Sequence, residues 1–289
     1  MSRRPFTLLS LALACALGAL AVWLAAFAVP VGQRLDGAAM AAFGAVVETR
    51  LQPSIQGAAG LAGLLPLLIV AAALVCVALL RGRWLMAATV PVILLAANLF
   101  TQLAKPSLAH PRIVELSGIQ GTYPASWPSG HSTVAMSLAL CAVLVAGPRL
   151  RPYAAVLGAA YAIAVGYSLV ALGWHLPSDV LGGYLAAATF TLLGAAALAR
   201  LEELHLQPST AAPRAGRGAI VPGAPRSLGM LAVAGLTTFV ICGLALLARH
   251  PGAAGYVSSN PAAILAAAGI AALGAALTAS LMLALRSGR

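Results

Sequence analysis

Residues 128–179 read PSGHSTVAMSLALCAVLVAGPRLRPYAAVLGAAYAIAVGYSLVALGWHLPSD. Two apolar runs, 132–148 and 152–174, flank the basic step Arg149-Leu150-Arg151. The other ionisable groups stand at the outer ends, His131 in front and His175 and Asp179 behind. A run of about 20 apolar residues crosses the hydrocarbon core of a bilayer as a helix. The runs are continuous rather than alternating, which argues against the strands of a membrane barrel. The stretch therefore reads as a transmembrane hairpin turned on arginines, and its two polar ends return to one membrane face.

The rest of the chain agrees with this hairpin. Of 289 residues, 61% are hydrophobic and 8% charged, and the mean hydropathy is +0.97. A soluble domain of this size needs more charged surface, and disorder needs low hydrophobicity, so both classes are excluded. The net charge of +11 comes from 17 basic and 6 acidic residues. In so apolar a chain these cations mark topology rather than a nucleic-acid partner. About eight apolar runs occur, near 6–30, 58–80, 84–103, 132–148, 152–174, 178–199, 228–248 and 261–285. The expected fold is an all-α polytopic transmembrane bundle. Residues 1–203 form a six-span core, 204–227 a cytoplasmic Pro/Gly/Arg-rich linker, and 228–289 a two-span tail. The cysteines, Cys15, Cys76, Cys141 and Cys242, lie inside apolar runs without ligand spacing and read as packing residues.

Charge sets the orientation. With the N-terminus in the cytoplasm, the cytoplasmic segments hold Arg3, Arg4, Arg81, Arg83, Arg149, Arg151, Arg200, Arg214, Arg217, Arg226, Arg286 and Arg289. The opposite face holds Arg34, Arg50, Lys105, Arg112 and Arg249. This bias is the positive-inside pattern, and it puts 31–57, 104–131 and 175–178 outside the cytoplasm. Arg3-Arg4 and Ala26-Phe27-Ala28 are similar to a twin-arginine signal and its cleavage site, but the run is longer than a signal core, which favours an uncleaved first span. Met40, Phe43, Val47 and Leu51 recur at helical spacing, so 35–51 is either a short interfacial helix or a packed loop.

Three polar stretches fall on the outer face. The first contains Lys105 and Arg112, seven residues apart. If helical there, both cations share one face about 10 Å apart along the axis and suit a phosphate. The alternative is two rim charges, on the side that topology disfavours. The second is Pro128-Ser129-Gly130-His131, which opens an apolar helix. Serine is a natural cap, glycine lets backbone approach a ligand, and the free N–H groups of a helix start attract anions. His131 in that first turn can donate a proton. The third is His175 and Asp179, four apart, with Pro177 between them to start the next helix. A carboxylate beside a histidine fixes its tautomer and raises its nucleophilicity. Read blandly, these would be a capping turn and an interfacial histidine beside a helix-capping aspartate.

Other chemistries fit less well. The acidic residues of this face are Asp36, Glu48, Glu115 and Asp179, and no HExxH occurs, so a metal site is not expected. No GxSxG marks a serine hydrolase. A transporter would carry ionisable groups deep in its spans, whereas these stand at span ends.

The three stretches together resemble the type 2 phosphatidic acid phosphatases, integral-membrane lipid phosphatases related to vanadium haloperoxidases. That family carries K-x6-RP, PSGH and SR-x5-H-x3-D. Lys105 and Arg112 match the first motif, with Ile113 in place of its proline; residues 128–131 match the second; Ser168, His175 and Asp179 match the third, with Leu169 in place of its arginine. The resemblance implies a metal-independent phosphohistidine mechanism without a cofactor. In it His175 is the nucleophile, Asp179 orients it and His131 protonates the leaving oxygen, while Lys105, Arg112, Ser129 and Gly130 hold the phosphoryl group. The implied partners are the bilayer and a lipid phosphate or polyprenyl diphosphate. Alanine- and arginine-rich usage suggests a high-GC bacterium, and hence a plasma-membrane enzyme with an extracytoplasmic site. Losing the family's arginine at 169 implies a slower or retuned enzyme, or else a weakened site that binds lipid phosphate without turnover.

Overall fold

The computed structural model describes residues 3–45, 51–108, 126–205 and 253–286. All regular structure among them is helical: α1 (Arg3–Ala28), α2 (Pro30–Gly44), α3 (Gln52–Gly60), α4 (Leu64–Leu80), α5 (Trp84–Ser107), α6 (Gly130–Val145), α7 (Arg151–Ala171), α8 (Pro177–His205), α9 (Ala253–Ser259) and α10 (Pro261–Ala284). Proline stands in the first turn of α2, α3, α7 and α10, and opens α8, where its missing N–H costs nothing. Two helices stop on glycine. Gly82 after α4 and Gly173 after α7 have φ of 67° and 69°. In both, the next two N–H groups turn back on the last turn: Gly173 donates to the Val170 carbonyl (3.0 Å) and Trp174 to that of Leu169 (3.0 Å). These are Schellman ends, which need a residue at ease in the left-handed region.

Among the described residues, five helices are long and apolar enough to cross a membrane: α1, α5, α7, α8 and α10. The pair α3 and α4, bent by 50°, makes a sixth if counted as one span. The expected run at 228–248 and the linker from 206 onward lie outside the described residues. The expected span at 132–148 is the 16-residue α6, shorter than the others. Its surroundings explain the length. From Ser132 to Val145 every residue but Ala142 is buried, because α4, α5, α7, α8 and α10 pack around it. A helix walled by protein has no lipid thickness to match.

Residues 35–51 begin as a helix, but not as one lying on the surface. Asp36, Gly37, Ala39, Met40 and Ala42 of α2 are buried, because α2 packs on α1, α7, α8 and α10. The core joins Met136, Leu140 and Leu144 of α6 to Leu169 of α7, Tyr184 of α8, and Ile270 and Leu281 of α10. The last described span thus shares the core with the helices before it. Small residues allow the close crossings. A Cβ at Gly158 would lie 3.0 Å from the Ala139 Cβ, and one at Gly166 2.6 Å from the Tyr184 hydroxyl.

Arginine gathers at one end of the bundle. Arg81 donates to the Val145 carbonyl (2.8 Å), Arg83 pairs with Glu202 (3.1 Å), and Arg151 donates to the Ala146 (3.1 Å) and Leu285 (3.3 Å) carbonyls. Cations on orphan carbonyls at helix C-termini are favourable in both charge and hydrogen bonding.

Candidate active site

The opposite end holds the polar stretches. Ser129 caps α6: its Oγ accepts from the Ser132 N–H at 3.3 Å and from the Ser132 hydroxyl at 3.0 Å. The expected helix start at 128–131 is therefore present, with Ser129 fully buried and His131 partly open. Thr133 ties this turn to α8 by donating to the carbonyls of Ser129 (2.8 Å) and Gly183 (3.2 Å).

α8 begins at Pro177, with Asp179 in its first turn. The Asp179 Oδ2 accepts from the Leu176 N–H at 3.1 Å and lies 3.3 Å from Nδ1 of His175. Asp179 is fully buried, while the His175 side chain keeps 12% exposure. A carboxylate at Nδ1 holds the proton there and leaves the Nε2 lone pair free. Backbone joins the two helix starts, the Ser129 N–H donating to the Asp179 carbonyl at 3.0 Å. The approach is so close that a Cβ at Gly183 would sit 2.7 Å from the Ser129 carbonyl oxygen, and one at Gly182 2.4 Å from Nε1 of Trp127.

Lys105 reaches this junction from the last turn of α5. Its Nζ lies 3.9 Å, and Nε2 of Gln102 3.7 Å, from where a Gly130 Cβ would be. Burial, and after it the neighbouring His175 and Lys105, hold the His131 imidazole below the usual histidine pKa, and its ring stands 5.9 Å from that of Trp174, which is half exposed. Lys105, Gly130, His131, His175 and Asp179 are thus brought to one place. α5 ends at Ser107 and Leu108 leaves helical geometry, and the shared face expected of Lys105 and Arg112 falls outside the described residues. Arg112 itself lies outside the described residues, as does His110. Ser168 does not face the site through its hydroxyl, which donates to the Val165 carbonyl of its own helix at 2.7 Å. Leu169 is fully buried in the core, and its carbonyl terminates α7. Among the described residues no three His, Cys, Asp or Glu side chains are grouped to hold a metal ion.

Sequence reasoning missed Gln102, three residues before Lys105 and so on the same side of α5. It also missed Gly182 and Gly183, which carry no signal beyond being glycine, and the role of Asp36. That carboxylate, 8% exposed, accepts from the Ser178 N–H at 3.0 Å and from the Ser178 hydroxyl, across 142 residues of chain.

With this arrangement in view, comparison with known proteins is informative. No curated protein matches the chain. Among solved structures, the first transmembrane PAP2 type phosphatidylglycerolphosphate phosphatase from Bacillus subtilis is similar. It is 22% identical, the match covers 67% of this chain and 96% of that one, and the TM-score is 0.52. At that identity the likeness is one of fold. Residues 86–202 match the model of the PAP2 superfamily, a segment that runs from α5 to α8 and includes Lys105, Ser129, Gly130, His131, His175 and Asp179. Over this segment, about two fifths of the chain, the protein is similar to the PAP2 superfamily of membrane phosphatases.

Proposed function

We propose that this protein is a PAP2-type membrane phosphatase that hydrolyses a lipid phosphate or diphosphate at the extracytoplasmic face through a phosphohistidine on His175. The observation that carries the reading is the meeting of Lys105, the α6 start and the His175–Asp179 pair at the end of the bundle opposite Arg81, Arg83 and Arg151. Nε2 of His175 attacks phosphorus as the bond from phosphorus to the lipid oxygen breaks, and His131 gives that oxygen its proton. Asp179 retains the Nδ1 proton and balances the charge that develops on the ring. Lys105 and the N–H groups of the α6 first turn face the phosphoryl oxygens, where negative charge grows in the transition state. Water, losing a proton to His131, then attacks phosphorus and releases phosphate and free His175. Ser129 contributes its hydroxyl proton to this pocket while its oxygen caps α6, and Arg112 supplies a second cation. No step requires a metal.

Twelve arginine positions on one side of the membrane support the extracytoplasmic placement. The substrate class is a membrane lipid with a terminal phosphate, because the site reads phosphate while the surrounding spans meet the tail. Phosphatidylglycerophosphate, which the name of the Bacillus subtilis protein points to, is the first candidate, beside phosphatidate and polyprenyl diphosphate. The second reading, a site that binds lipid phosphate without turnover, rests on the buried Leu169 in place of an arginine. Phosphate release by the detergent-purified protein, measured over these lipids with EDTA present, separates the two. Turnover that resists EDTA and disappears in His175→Ala is expected. Activity unchanged in that variant would sink the mechanism, and tight lipid binding without release would favour the second reading.

A further inference from the structure

The chain has two aspartates, and both end at the start of α8. Asp179 belongs to that helix. Asp36 comes from α2, and both of its oxygens accept from one residue, Oδ1 from the Ser178 N–H at 3.0 Å and Oδ2 from the Ser178 hydroxyl. One turn along α2, the Met40 methyl lies 3.9 Å from where a Gly173 Cβ would be, and the Phe43 and Tyr167 rings are 5.8 Å apart. α2 therefore follows the α7–α8 turn on both sides of His175, and Asp36 is its polar grip.

A buried carboxylate is an expensive way to hold two helices together, since an apolar pair of similar size does so at least as well. What a carboxylate adds is direction and charge. The first N–H groups of a helix lack intrahelical partners and carry the positive end of its dipole, which an anion satisfies. Ser178 lies between His175 and Asp179, so a fixed Ser178 fixes the angle at which one meets the other. We propose that Asp36 is a positioning residue for the hydrolytic reaction, holding the first turn of α8 so that Asp179 meets Nδ1 of His175. The inference rests on the phosphohistidine reading. In reactions of this kind a misplacement of about 1 Å costs on the order of 10²-fold in rate.

The test compares Asp36→Ala, Asp36→Asn and Ser178→Ala with the wild type in detergent, scoring kcat and KM for phosphate release from the best lipid substrate. Asp36→Ala is expected to lower kcat by about 10- to 100-fold with KM within about twofold, because Asp36 acts through Ser178 and not on phosphate. Asp36→Asn keeps an acceptor for the Ser178 N–H and should recover most of kcat. Ser178→Ala, which removes one bond of the pair, should fall between them; it also decides the matter should Asp36→Ala fail to fold. Amide hydrogen exchange over residues 173–182 gives a readout without substrate, and Asp36→Ala should speed it by about tenfold or more while the helices elsewhere keep their protection. Retained kcat in folded Asp36→Ala, a rise in KM alone, or unchanged exchange over 173–182 would each overturn the proposal. A wild type that releases phosphate from no lipid would instead bring down the phosphatase reading, a different result from an active wild type indifferent to Asp36.

Discussion

The starts of α6 and α8 touch, backbone to backbone, yet they are finished in opposite ways. α6 is capped by the neutral hydroxyl of Ser129 and has Lys105 beside its first turn. α8 is met by two carboxylates, its own Asp179 and Asp36 from α2. Both ends present orphan N–H groups and a positive dipole. The protein quenches one and leaves the other electropositive. On the proposed reading, an anion entering the junction is drawn to α6, while α8, already satisfied, offers it a histidine. On the proposed mechanism, this difference makes one of two chemically equal helix ends a cradle for phosphate and the other the mount of the nucleophile.

The contrast is broken most severely by removing what α8 mounts. His175→Ala should lower phosphate release at least about 10³-fold, measured as inorganic phosphate per folded enzyme. Removing the acid of α6 is next. His131→Ala should cost about 10²- to 10⁴-fold on a lipid substrate. It should cost far less on an aryl phosphate, whose leaving group needs no proton; equal losses on both would exclude the acid role. The sharpest test makes α6 resemble α8. Ser129→Asp retains a good cap but puts a carboxylate where phosphate should sit, a repulsion of about 4 kcal/mol for two charges 4 Å apart at an effective dielectric near 20. Thermal stability should hold while kcat/KM falls by about 10²-fold, and an unchanged kcat/KM would mean that phosphate does not lie at α6. The smallest change in rate is expected from Leu169→Arg. Turnover should be equal to or up to a few-fold above wild type, with a lowered melting temperature that inorganic phosphate restores, since a ligand bound only to the folded state stabilises it. A variant that phosphate does not stabilise would show that this side chain cannot reach the pocket.

How much of this was readable in advance follows the same division. The helix starts were legible, because Ser129 and Pro177 act on their immediate neighbours and local signals survive in sequence. The meeting of His175 with Asp179 was legible for the same reason, being four residues apart on one turn. Asp36 was not, since nothing within 142 residues of chain points from it to Ser178. Nor was the central place of α6: a helix apolar on every side gives no periodicity to say which face is inside. The end of α5 at Ser107 was not legible either, since the spacing of Lys105 and Arg112 suggested a helix running on, whereas Leu108 leaves helical geometry. The glycines at 182 and 183 are legible only from the other side of the contact, once Trp127 and Ser129 are known to press on them.

The span between residues 36 and 178 also has a consequence for biogenesis. Ribosomes add about 5–20 residues per second, so α2 is made roughly 7–30 seconds before the segment it grips. During that interval Asp36 has no Ser178 to hold, and α1, which packs chiefly along α8, lacks its main neighbour as well. The first two helices are thus completed only when α8 has been made. A nascent chain cut short between residues 146 and 174 carries the cation of Lys105 and the cap of α6 but neither His175 nor Asp179, so on the proposed mechanism such a product is inert.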